Sequence, residues 1–125
     1  MVYDNRSWHK RWLALDDLRR RLLNEWCVLN RQLEGRAGWF ALSDVARAAV
    51  EQDAGLSGLD TTLTLIHRHL RRWLRAVPTD IIDDVADVAA SLQVAERLLP
   101  VEENHVAHLL IAQAVRDLSR MQEAA

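Results

Sequence analysis

Glu102 and His105 stand three residues apart, the spacing that sets a carboxylate and an imidazole on one face of a helix, as in carboxylate-bridged di-metal bundles. Such a centre needs a second Glu-x-x-His and two further glutamates. The chain has no second pair, and Glu25, Glu51 and Glu96 do not complete the pattern. His105 and His108 can chelate from one helical face, whereas His67 and His69 straddle two. Neither pair has a Cys or carboxylate cluster at a fitting distance, so surface or half-buried histidines are expected, with no metal and no cofactor. The glycines fall in two interhelical breaks and form no phosphate loop. Ser43, Ser57, Ser91 and Ser119 have no nucleophile motif around them. Cys27, the single cysteine, lies among Trp26, Val28 and Leu29 and reads as a small apolar helix residue. It allows no intrachain disulfide and suits a reducing cytoplasm. Nothing in these patterns argues for an enzyme.

Arg68, Arg71, Arg72 and Arg75 offer a different chemistry, contact with phosphates or base edges. Asp44-Val-Ala-Arg-Ala48, followed by Gly55-Leu-Ser57 and Thr61-Thr-Leu63, resembles a helix-turn-helix run, with Thr61 to Trp73 as the recognition helix. Two features oppose that reading. The stretch between Ala49 and Gly55 is longer than the tight turn of the motif, and the arginines come late in a helix that would read bases with its first turns. The plainer alternative is electrostatic. Arg71, Arg72 and Arg75 close one helix and Asp80, Asp83, Asp84 and Asp87 open the next, so both sets complement helix dipoles and can pair across the hairpin.

A third feature is aromatic. The chain holds five tryptophans, and Trp8, Trp12 and Trp26 fall on one stripe with Leu15, Leu18, Leu22, Leu29 and Leu33, at steps of three and four. Such a stripe is either core or interface. A helix of roughly 28 residues is about 42 Å long, more than so small a domain needs. If its ends overhang, Trp8, Trp12, Leu15 and Trp26 are to be covered by a second copy across a two-fold axis.

The elements that must position these groups are all helical. The first helix runs roughly from Ser7, its N-cap, to Glu34, and is stopped by Gly35 and Gly38, with Trp39 and Phe40 in the turn. A second runs from Ser43 to about Asp53, with Val45, Ala46, Ala49 and Val50 as its apolar face, and Ala54 to Gly58 breaks it. A third should start near Asp60 and end at Val77, before Pro78, with Leu63, Ile66, Leu70, Trp73, Leu74 and Val77 inward. Thr79 should cap a fourth, striped by Ile81, Val85, Val88, Leu92, Ala95 and Leu99 up to Pro100. A fifth, about Val101 to Met121, shows Val106, Leu109, Leu110, Val115, Leu118 and Met121 as its apolar residues, and Pro100 either opens it or kinks a continuous helix. No segment alternates as a strand does. The expected fold is all-α, a bundle of four to five amphipathic helices with a long N-terminal helix, in a single domain of 125 residues.

The formal net charge of -2 argues against a body built wholly as an electrostatic glove for DNA or acidic lipid. The balance is uneven: residues up to Pro78 carry +4 and the remainder -6. No apolar run is long enough to span a bilayer, and the polar start of the chain does not read as a secretory signal. Fifteen of the sixteen basic residues are Arg and Ala is abundant, as in proteins of GC-rich bacteria and their phages. The stretches Ala76-Val-Pro-Thr79, Val88-Ala-Ala-Ser-Leu92 and Leu109 to Leu118 resemble small uncharacterised helical proteins of proteobacteria and their prophages. That resemblance covers roughly the C-terminal half and implies the fold without an activity. The sequence therefore leads to a non-catalytic cytoplasmic homodimer that binds another protein, as a bacterial or phage regulator, adaptor or inhibitor. DNA binding through residues 43–75 is the alternative, and no membrane partner is expected.

Overall fold

The computed structural model describes residues 7–79, 82 and 84–124. The fold is all-α. Five α-helices follow in order: α1 (Trp8–Glu34), α2 (Asp44–Asp53), α3 (Leu56–Leu74), α4 (Val85–Leu98) and α5 (His105–Ala124), with a 3-10 turn at Trp39–Ala41 between the first two. No described residue lies in a strand. The chain divides into two compact units, one of residues 1–14 with 76–125 and the other of residues 15–75, so that α1 contributes its first turns to one and the rest to the other.

In the unit of residues 15–75, the long stripe of α1 meets the segment that follows it. Leu33, Trp39 and Leu56 are buried together, and Trp26, Leu29, Val50 and Ala54 pack around them. Trp39 thus folds back onto the stripe, while its neighbour Phe40 is left 74% exposed. Gly38, at φ 77°, makes the reversal possible, because a side chain is strained in that left-handed conformation. Ser43 then caps α2, its Oγ accepting from the Ala46 N–H at 3.1 Å. The expected apolar face of α2 is not an inner face. Val45 is 80% exposed and α2 buries no residue fully. A ten-residue helix with one end in a turn has only Val50 placed to reach the cluster.

The break after α2 is shorter than the spacing of glycines suggests. Only Ala54 and Gly55 interrupt the helices, Gly55 at φ 91°, and Gly58 lies inside the first turns of α3. A single left-handed glycine turns the chain, so the second glycine is free to be helical. At its other end α3 stops at Leu74 and not Val77, closing with a bond from the Arg75 N–H to the Arg72 carbonyl. Ile66 and Leu70 are its buried positions beside Leu56. Asp16 is also buried, its two carboxylate oxygens accepting from Arg19 Nε at 2.9 Å and Arg20 Nε at 3.1 Å.

The other unit begins at Ser7, whose Oγ accepts from the Lys10 N–H at 3.3 Å as the N-cap of α1. Trp12 and Leu13 are buried here, as are His9 and, on the later helices, Ala89, Ala90, Val94 and Val115. Lys10 Nζ lies 3.4 Å from Asp87 Oδ1, and Arg97 donates to the Leu13 carbonyl at 3.5 Å, tying α4 to the first turns of α1. Asp84, not Thr79, caps α4, accepting from the Ala86 N–H at 2.9 Å. Asp80, Ile81 and Asp83, which the sequence reading assigned to that helix, lie outside the described residues. Most of α4 is at least half-buried, because small residues at Ala86, Ala89, Ala90 and Ala95 let neighbours approach from more than one side. Pro100 neither opens α5 nor kinks a continuous helix. It sits in a connection in which the Asn104 N–H bonds the Pro100 carbonyl, and α5 starts one residue later.

Candidate functional site

The aromatic stripe of α1 is covered to different degrees along its length. Trp12 is 4% exposed, and Trp8, Leu15 and Trp26 are all half-buried. Trp8 stands edge-on to the buried His9 ring, with centroids 5.2 Å apart at 81°. Trp26 packs on the Leu33–Trp39–Leu56 cluster, and its Nε1 is fully buried with no acceptor. An overhanging aromatic end was the reason to expect a dimer interface on α1. Trp12, at the end expected to overhang, is covered within its own unit, while Trp8 and Leu15 are covered only in part.

Arg68, Arg71, Arg72 and Arg75 are exposed on α3 and at its C-cap. Their spacing of i, i+3, i+4 and i+7 confines them to an arc of about 100°, and Ile66 and Leu70 are buried on the opposite side. Of the acidic residues expected to pair with them, Asp84 caps α4 and Asp87 faces Lys10. The Ala54–Gly55 break is also as short as a helix-turn-helix demands, so the objection from turn length falls. The objection from position stands. The first turns of α3 hold Asp60 and no arginine, and the hydroxyls of Thr61, Thr62 and Thr64 donate to the carbonyls of Ser57, Gly58 and Asp60 on their own helix. Side chains folded back in this way do not read base edges.

The residues considered for metal or nucleophilic chemistry are scattered. Glu102 lies in the connection before α5, not on it, so it does not share a helical face with His105. His108 is half-buried, with Nε2 4.0 Å from Glu96 of α4. His67 and His69 are exposed. Among the described residues no three His, Cys, Asp or Glu side chains come together, and no helix is long and apolar enough to cross a membrane.

The surface that stands out was read as core in the sequence. Val106, Leu109, Leu110 and Met121 of α5 are 53–69% exposed, while Val115 is buried and Leu118 half-buried. The apolar residues of α5 fall on two sides of the helix. Val106 and Val115 are nine residues apart, about 180° around a helix, so one set packs beside α4 and the other faces out. Leu98 and Val101, at the end of α4 and in the connection, are about half-exposed and extend this apolar surface. The signal that could have found it is the uncharged run from Asn104 to Val115, which holds no Asp, Glu, Lys or Arg on any side. A stretch of helix with no charge on any side lacks the strongly solvated face that a surface helix ordinarily presents. A groove of about 590 Å³ continues along the C-terminal half of α5, lined by Gln113, Arg116 and Arg120 among others. A second apolar group, Phe40, Leu42 and Val45, is exposed beside the 3-10 turn, next to a groove of about 360 Å³ that includes Asn30, Glu34, Asp44 and Arg47. No protein-family model, no curated protein and no solved structure matches this chain.

Proposed function

We propose that this protein works by binding proteins and not by catalysis, as a homodimer that serves as a regulator, adaptor or inhibitor in the cytoplasm of a bacterium or under the control of its phage. It uses no metal and no cofactor. The observation that carries the reading is the outward face of α5, where Val106, Leu109 and Leu110 lie bare on a stretch of helix without a single charge. Several large aliphatic side chains exposed side by side are costly to leave in water and mark an interaction surface. The interface is therefore assigned to α5 and the end of α4, in place of the tryptophans of α1. The Phe40, Leu42 and Val45 group supplies a separate surface for the second protein. Sedimentation equilibrium at tens of micromolar is expected to give a dimer, and a strict monomer overturns the reading.

The arginine stripe of α3 favours a second reading, contact with nucleic acid. Four exposed guanidinium groups on one helical arc match a row of phosphates better than they match base edges. On this reading, affinity falls with salt at a log–log slope of about -3 to -4, and Arg71→Ala with Arg72→Ala lowers that slope by about 2 without changing sequence preference. Absence of binding at low salt discards it.

A further inference from the structure

The apolar face of α5 is bounded by charges of opposite sign at its two ends. Glu102 and Glu103 are exposed just before the helix, and Arg116 and Arg120 are exposed towards its other end. Between them lie Leu109 and Leu110 with no charge for several residues either way. Such a surface is complementary to itself when turned end for end. We infer that two copies pair through α5 in antiparallel fashion, about a two-fold axis passing between Leu109 and Leu110. The inference rests on the homodimer reading above and adds the occupant, the direction and the register.

In this register Leu109 of one copy faces Leu110 of the other, and Val106 faces the aliphatic part of Gln113. Glu103 comes opposite Arg116, and this happens twice because the interface is isologous. Glu102 comes level with Asp117, whose charge Arg120 of the same helix already neutralises in an ion pair. Met121 passes beyond the start of the facing helix and reaches the connection at Pro100, where Leu98 and Val101 are exposed. Leu109, Leu110 and Met121 thus acquire apolar neighbours, and Val106 the methylenes of Gln113. Parallel pairing does the reverse, setting Glu103 beside Glu103 and Arg116 beside Arg116, and like charges at helix contacts repel. Antiparallel pairing also opposes the two helix dipoles.

The size is sufficient. A helix of 20 residues is about 30 Å long. Six large apolar side chains, each about half exposed or more, amount to a few hundred Å² per copy. With the Gln113, Arg116 and Glu103 rim the pair reaches roughly 1,200 Å² in total, the lower range for a specific dimer.

Cross-linking tests the direction. In a Cys27→Ser chain, Leu110→Cys and Met121→Cys are introduced separately, and each protein is oxidised and run without reductant. Copies of position 110 lie across the axis, within reach of a disulfide once side chains settle, whereas copies of position 121 are about 35 Å apart. Leu110→Cys is expected to convert mostly to covalent dimer and Met121→Cys to remain uncross-linked. Equal cross-linking of both overturns the antiparallel arrangement. If wild type is a dimer but neither variant cross-links, the interface lies elsewhere and the inference fails while the homodimer survives. If wild type is a strict monomer at tens of micromolar, both fall.

Discussion

A chain carrying Leu110→Arg is expected to sediment as a monomer while keeping the helicity and thermal midpoint of the wild type. Leu110 is 61% exposed in the single chain, so its replacement leaves the packing beneath α5 untouched. The cost falls on association alone. Each dimer would bring two guanidinium groups together at the axis, away from water and from any carboxylate, and lose two buried leucines. Desolvating even one unpaired charge at an interface costs several kcal/mol. Weakening by at least about 100-fold, or ~2.7 kcal/mol, follows as a lower bound. The check is sedimentation equilibrium across a concentration series, with circular dichroism on the same samples. A dimer constant equal to that of wild type removes α5 from the interface. A variant that loses helicity shows instead that Leu110 supports the fold.

Where local chemistry decides an element, the sequence was readable. Ser7 and Ser43 cap their helices as their type and position imply, and the three-and-four stripe of α1 holds the buried Trp12 and Leu33, its other members being half-buried. Helix ends decided by competition were not. Asp84 outdoes Thr79 as a cap because either can accept from a free N–H, and nothing in the chain's order ranks them. Gly55 and Gly58 look alike as breakers, yet only one is left-handed. The exposed face of α5, for a different reason, was not singled out in the sequence. Val106, Leu109, Leu110, Val115 and Leu118 are all apolar residues of one helix, but they lie on opposite sides of its wheel. Hydrophobicity says that a residue is to be covered, not whether its own chain or a second one covers it. The same ambiguity attached to the tryptophans, of which Trp12 is covered by its own chain.

That outcome makes Trp12→Ala the sharpest contrast to Leu110→Arg. Trp12 is 4% exposed, beside the buried Leu13 in the first turns of α1. Its removal takes a large apolar surface out of the interior and leaves a cavity that neighbours fill only in part. Truncations of this kind cost about 3–5 kcal/mol. A small domain often has little more than that in hand, about 5–15 kcal/mol in all. The expected result is therefore a steep fall in the urea midpoint, with partial unfolding near body temperature and no well-folded monomer at any concentration. Trp12→Phe keeps most of the volume and should recover a large part of the loss. Were Trp12 an interface residue, its truncation would instead give a stable monomer with an unchanged midpoint, the behaviour expected of Leu110→Arg. Measuring midpoint and mass for both variants therefore separates the two faces. Trp12 is expected to move the midpoint, Leu110 only the mass, and an exchange of those roles would return the interface to α1.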